Sequence, residues 1–379
     1  MANVPVWARD EALRGPRFPR LTTTVDADVC VIGLGGSGLA CIAELLASGV
    51  SPERVVGLDA HVVGGGAAGR NGGFLLAGTA DFYHDAIAQF GHERSRRLYA
   101  LTLSEIQRMS VETPAAIRRT GSLRIAASDE ELADCEQHLA ALCRDEFPAE
   151  RYAGPEGRGL LVPTDCAFDP LRRCATLACR AADAGARLFE QSPAVAIDAG
   201  EVRTPEGRVR CGRVVIAVDG RLADVVPAVA ARVRPVRLQM LATAPTDEVR
   251  LPRPVYARWG FDYWQQLEDG RVLLGGFRDM AGDQEWTDSS IPSDTVQQML
   301  ESFLRDRLRV SAPITHRWAA TVSYTQTGLP VFEEVARGVI ATGAYSGTGN
   351  VMGALCGRAA ARWSLGTRPE LVDLLASSH

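Results

Sequence analysis

The sequence contains no lysine; all 41 of its basic residues are arginine. That excludes a lysine Schiff base or a lysine general base from whatever chemistry the chain performs. Its nine cysteines are odd in number and scattered without C-x-x-C spacing. Neither a disulfide framework nor a zinc site is predicted, no metal is expected, and reduced thiols point to the cytoplasm. No apolar run approaches the ~20 residues that span a bilayer. The opening residues MANVPVWARDEALRGPRFPR lack the apolar centre of a secretory signal. A net charge of −5 over 379 residues gives no electrostatic ground for binding nucleic acid or an anionic membrane. With 46 % apolar and 23 % charged residues, neither disorder nor a fibre is indicated, and the length predicts two domains.

What is present begins with VIGLGGSGLACIAELLASG, residues 31–49. The apolar core at 29–32 predicts a short buried parallel strand. Gly33, Gly35 and Gly38 follow in G-x-G-x-x-G spacing. The first glycine permits a tight turn, the second lets backbone approach a pyrophosphate, and the third lets the helix pack close to the strand. The helix, with Gly49 as its stop, would offer its N-terminal N–H groups and dipole to the phosphates. A second strand in RVVGLDA ends at Asp59, an acid placed to accept hydrogen bonds from a ribose 2′-hydroxyl. A merely structural glycine turn is the alternative; the strand before it and the acid behind it favour a dinucleotide. Then comes AHVVGGGAAGRNGGFLLAG, with glycines at 64, 65, 66, 69, 72 and 73 around Arg70 and Asn71. Ordering so much glycine costs backbone entropy that a ligand can repay. A flexible surface loop is the bland reading. A second such loop suits an extended, resident flavin dinucleotide better than a visiting nicotinamide.

The pattern G-x-G-x-x-G … acid … G-x-G-A-x-G-R-N-G-G resembles the FAD-dependent amine and amino-acid oxidase family, the superfamily of glycine oxidase and D-amino-acid oxidase. The GRNGG form is most similar to the γ-glutamylputrescine oxidase branch, although Ala68 stands where that branch usually has serine. Further segments follow in the family's order: GSLRIAASDEEL, FDPLRRCATLACRAADAGARLFE, GRVVIAVDG (with Asp219 as a departure), DGRVLLGGFRD and GVIATGAYSGTGNVMGALCGRAAA. The resemblance implies an α/β fold, with a discontinuous Rossmann-like FAD-binding domain and an inserted α+β substrate domain built on an antiparallel sheet. The expected boundaries are an N-terminal arm at 1–21, an FAD-binding domain at 22–78, 165–228 and 315–379, and a substrate domain at 79–164 and 229–314. The implied cofactor is noncovalent FAD, held by Gly33, Gly35, Gly38, Asp59, Arg70, Asn71, Gly72 and Gly73. The backbone of Val195 would clamp adenine, and Gly343, Gly347, Thr348 and Gly349 would bring backbone close to the flavin ring. A helix at about 351–363 would point its positive end at the flavin pyrimidine.

Flavin amine oxidation needs neither nucleophile nor metal, because the cofactor carries the hard step. The protein orients the substrate, excludes water and desolvates the amine. Tyr324, Tyr256 and Arg258 are the substrate-pocket candidates, with Tyr345, Trp259, Phe261, Tyr263 and Trp264 beside them and a structural reading open for each. Period-two alternation predicts Tyr256, Arg258 and Asp262 on one face and Trp259, Phe261 and Tyr263 on the other. Asp269-Gly270 predicts a hairpin turn. The histidines read as surface or packing residues.

Two departures bear on the chemistry. Val322 occupies the position of a carboxylate-gripping arginine in glycine oxidase-like members and of a flavin-linked cysteine in sarcosine oxidase-like ones. Valine does neither. The usual α-carboxylate grip is therefore not expected, unless Arg258, Arg278 or Arg317 replaces it. Leu273 stands where sarcosine oxidase-like members have a lysine that assists reaction with oxygen; because some oxidases in the wider family manage without it, an oxidase is expected in preference to a dehydrogenase that passes electrons to another acceptor. The expected function is oxidation of a C–N bond of an amine or modified amino compound, with hydrolysis of the imine. The alternatives are an amino-acid oxidase or dehydrogenase using another arginine, and a non-catalytic flavin-binding partner protein.

Overall fold

The computed structural model describes residues 3–8, 18–198 and 200–376, so much of the expected N-terminal arm, including Pro16, lies outside the described residues. The chain divides into two compact units, each assembled from separate stretches. One comprises Trp7–Arg70, Pro170–Val236 and Val322–His379; the other comprises Met1–Val6, Asn71–Asp169 and Arg237–Thr321.

The first unit is built on a parallel sheet. The strand Thr24–Ile32 lies between Val55–Leu58 and Arg208–Ala217, with Arg187–Phe189 beyond the former and Val339–Gly343 beyond the latter. All four pairings are parallel, and the central strands read as near-continuous apolar runs because both faces are covered. The helix Gly36–Ala47 packs directly on Met352–Ser364: a Cβ on Gly357 would stand 2.0 Å from the Ser37 carbonyl oxygen. Trp7, within the expected N-terminal arm, is buried. The carboxyl ends of the parallel strands deliver Gly33, Asp59, Glu190, Val218 and Ala344 to one edge, which is where open α/β sheets bind ligands.

The second unit carries a largely antiparallel sheet. Its strands Arg271–Gly276, Asp262–Gln266, Val255–Ala257, Ser122–Ile125, Gly157–Val162 and Glu150–Gly154 lie in that order. Only the Val255–Ala257 and Ser122–Ile125 pair runs parallel among these. The Asp269-Gly270 turn joins its hairpin as expected, Gly270 taking φ +85°. Alternation divides the sheet cleanly. Leu123, Val255, Trp264 and Leu274 face a core shared with Val296, Leu300 and Leu304 of the helix Asp294–Asp306.

The opposite face is where the sequence reading of 256–264 needs correction. Tyr256 and Tyr263 are direct cross-strand partners, so they share a face rather than opposing each other. The residues do not form one continuous strand: Arg258 and Trp259 adopt left-handed φ of +50° and +54°, and the turn resets the alternation. Arg258 leaves Tyr256's face and lies over the Phe277 ring, which packs in the helix-side core.

Candidate functional site

In the parallel-sheet unit, the first glycine loop is shaped by backbone contact. Gly33 takes φ +100° and donates its N–H to the Leu58 carbonyl at 2.8 Å. A Cβ on Gly38 would lie 1.8 Å from the Gly33 carbonyl oxygen, so helix and strand can meet only without a side chain there. Gly35 caps the helix with no side-chain cap bond, and no acid stands in its first turn. The first-turn N–H groups therefore point outward with an electropositive field, a ready anion site. The second loop closes by the same device, since a Cβ on Gly69 would sit 2.3 Å from the Gly64 carbonyl oxygen. Where the loops meet, a Cβ on Gly35 would lie 3.1 Å from the Ala68 methyl.

Asp59 ties this loop together before it touches any ligand. Its Oδ2 accepts from the Leu34 N–H and its Oδ1 from the His61 N–H, both at 2.8 Å. Burial pushes its carboxyl above the usual carboxylate value, with those two N–H groups opposing the shift. A carboxylate offers about four acceptor positions, so two remain for ribose hydroxyls. Sequence reasoning missed Glu190, which ends the neighbouring strand and accepts from the Val63 N–H at 2.8 Å. Its only signal was an acid directly after an apolar strand.

The C-terminal loop of the same unit is contorted. Ala344, Ser346 and Gly347 have φ of +54°, +50° and +88°. Gly343 is required for packing on the neighbouring chain: a Cβ there would lie 2.0 Å from the Val218 carbonyl oxygen. Thr348 turns its hydroxyl onto the Tyr345 carbonyl at 2.7 Å. The Tyr345 ring is buried and donates its hydroxyl to Ser37 at 2.8 Å, a structural role. Beside Gly347, a Cβ would come within 2.8 Å of the half-buried Tyr324 hydroxyl; Gly349 faces the Tyr345 ring. The helix Met352–Ser364 begins without a side-chain cap or an acid in its first turn. Asp219 supplies the restraint. Its Oδ1 accepts from the Tyr345 N–H at 3.0 Å, and the backbone N–H groups of Ser323 and Ala344 also favour its charged form. Burial pushes its pKa up to about 6 against the pull of those bonds.

Other expected site residues are placed as follows. Arg70 is partly buried, which lowers its pKa from the ordinary value. Val195 is exposed and its N–H donates to the Arg203 carbonyl at 2.8 Å. In the antiparallel-sheet unit, Asn71 Oδ1 accepts from the Gly73 N–H at 2.9 Å, and Gln265 donates to the Gly72 and Gly73 carbonyls. A Cβ on Gly72 would lie 2.6 Å from the Phe74 ring. That ring meets Tyr256 and Tyr263 edge-on at centroid distances of 4.9 and 5.8 Å. Three aromatic walls thus converge on the sheet face opposite the helix. Trp264 is instead a core residue against Phe303. Trp259 is bound through its indole N–H to Asp134 at 2.7 Å.

The arginines expected as carboxylate partners are occupied. Arg258 is chelated by Asp262 and Asp279, which raise its pKa further. Arg317 bonds Gln297 and Glu301. Arg278 lies over the Phe261 and Trp286 rings. Val322 and Leu273 are both buried aliphatic side chains. Among the described residues, no group of three or more His, Cys, Asp or Glu side chains could hold a metal ion. No helix among them is long and apolar enough to cross a membrane.

Comparison with known proteins agrees with this cradle. The family model described as FAD dependent oxidoreductase matches residues 28–363. A protein of Rhizobium meliloti named "Probable oxidoreductase OrdL" is 29 % identical over 399 residues, covering 97 % of this chain and 90 % of that one. The gamma-glutamylputrescine oxidoreductase of Escherichia coli is 27 % identical over 379 residues, covering 90 % and 84 %. The crystal structure of glycine oxidase from Geobacillus kaustophilus superposes with a TM-score of 0.76 at 20 % identity, covering 94 % of this chain and 99 % of that one.

Proposed function

The chain belongs to the FAD-dependent oxidoreductase family, and from that premise we propose that it oxidises a C–N bond of an amine or modified amino compound, the resulting imine hydrolysing to a carbonyl. FAD, when bound, supplies the acceptor for the hydride that leaves the substrate carbon. The residues present fit that cofactor. The observation that carries the reading is the pair of glycine loops folded so tightly that a Cβ would fall 1.8 Å (on Gly38) or 2.3 Å (on Gly69) from a backbone carbonyl oxygen, beside an uncapped helix start with Asp59 behind them. In this proposal the parallel-sheet unit holds FAD and the antiparallel-sheet unit receives the substrate. Tyr256, Tyr263 and Phe74 would wall the substrate and exclude water, favouring the neutral amine. Tyr324 would stand at the contorted Gly347 loop. Arg258 is left out of the pocket because its guanidinium is already paired with two carboxylates.

Oxygen is the proposed electron acceptor, another acceptor being the alternative, and the cytoplasm the proposed location. The oxidoreductase names of the relatives give the non-catalytic alternative no support. The test is anaerobic titration of the purified protein with primary, N-methyl and N-acylated diamines and with amino acids, then admission of air. Bleaching of the visible flavin band by an amine is expected, with recovery in air for an oxidase. Protein that purifies without flavin and gains none from added FAD overturns the reading.

Valine at 322 offers no atom for a thioether to the cofactor, and no other cysteine-based attachment is proposed. Acid precipitation of the holoprotein should therefore leave all the flavin in the supernatant. Yellow colour retained in the denatured pellet would refute noncovalent binding.

A further inference from the structure

Arg124 lies in the strand Ser122–Ile125 between two buried aliphatic neighbours, Leu123 and Ile125, that face the helix-side core. Strand alternation therefore sends it to the opposite face, where its register partner is Tyr256. Its guanidinium carbon lies 5.9 Å from the Tyr256 ring centroid and 5.7 Å from that of Phe82. Both rings lie within the range at which an aromatic face attracts a guanidinium cation.

No acceptor among the described residues completes it. Its Nε is sealed from solvent without a hydrogen-bond partner. Buried Asp165, whose carboxyl Arg124 pulls down in pKa, accepts from the Ser122 hydroxyl at 2.6 Å and the Ala77 N–H at 3.2 Å and makes no hydrogen bond with Arg124. His138 offers no anion: burial and Arg124 itself hold its ring neutral, and its Nδ1 accepts from the Tyr83 N–H. A guanidinium N–H withdrawn from water without an acceptor is costly, and Arg258 and Arg317 show how this chain otherwise pairs such groups.

We propose that Arg124 is an anion receptor on the substrate face, binding the carboxylate of an amine whose carbon chain lies along Tyr256 and Tyr263. The assignment of substrate to this face rests on the proposed function; the anion site itself rests on Arg124 and its surroundings. Arginine suits a planar carboxylate through two parallel N–H···O bonds, which lysine cannot reproduce. The site then selects amines that also carry a carboxylate, with Arg124 as the specificity-determining residue.

The test uses the flavin-loaded protein with butanoate and its neutral isostere butanamide, binding being read by isothermal titration calorimetry and from thermal shift. Neither readout requires turnover. In Arg124→Gln the butanoate dissociation constant should rise about 30- to 100-fold, the loss expected for charge-assisted bonds to a carboxylate. Butanamide should bind wild type and variant alike, and Arg124→Lys should recover only part of the loss. Butanoate binding within twofold of wild type in Arg124→Gln, or no butanoate binding to wild type, overturns the proposal. A wild-type flavin that no amine reduces would instead refute the proposed function while leaving these binding measurements intact.

Discussion

Gly38→Ala should purify without flavin, and its apoprotein should bind added FAD at least about 100-fold more weakly than wild type, the scale of losing one or two charge-assisted phosphate bonds. The methyl would fall 1.8 Å from the Gly33 carbonyl oxygen, far inside van der Waals contact. Gly33 cannot yield, because its own N–H is fixed on Leu58 and its Cα faces the Ala217 carbonyl, which a Cβ there would approach to 2.5 Å. The helix Gly36–Ala47 must therefore move away from the strand, and its first-turn N–H groups lose their convergence. Overpacking of this kind also costs about 1–3 kcal/mol or more of stability. Gly36→Ala is the informative companion, since a Cβ there meets nothing within 4 Å. Its apoprotein should melt at or slightly above the wild-type temperature. Flavin-to-protein ratio, FAD titration of the apoprotein and thermal melting read all three effects. A Gly38→Ala protein carrying a full complement of flavin would refute the account.

Features set by local chemistry were legible before the structure. The strand, turn and helix around Gly33–Gly38 follow from adjacent residues, as does the Asp269-Gly270 hairpin. The faces of Tyr256 and Tyr263 were not legible. Their alternation is reset by left-handed Arg258 and Trp259, and neither residue type announces that conformation. Asp219 could be seen only as a departure from a familiar strand ending. Its reason lies more than a hundred residues away, in the N–H groups of Ser323, Ala344 and Tyr345. Arg124 shows a third kind of limit. The alternation of Leu123, Arg124 and Ile125 does place it opposite the apolar pair. Whether that opposite face was solvent or an aromatic surface depended on Tyr256 and Phe82, brought there by pairing and packing.

The Asp219 clamp makes a second large prediction, carried by pH. Burial raises its folded pKa from 3.8 to about 6, so between those values the folded state keeps a proton that the unfolded chain has lost. Stability must then fall as pH rises through that window, by about 3 kcal/mol in all, and level off above it. Asp219→Asn removes this titration and nothing else that ionises. Buried Asp165, whose pKa is also pushed up to about 6, is common to both proteins and cancels from the comparison. The melting temperature of wild type relative to Asp219→Asn should therefore climb as pH is lowered from about 6 to 4, and stay level from 7 to 8. The amide also has one acceptor oxygen where the carboxylate has two, so its NH₂ must face an N–H of the Ala344–Tyr345 turn or swing away. Either outcome frees a loop whose left-handed Ala344 and Ser346 need restraint. At pH 8 the variant should accordingly bind FAD about 10-fold more weakly, the value of one buried hydrogen bond. A melting difference that is constant from pH 4 to 8, together with unchanged FAD affinity, would show that Asp219 neither titrates in the folded state nor holds the loop.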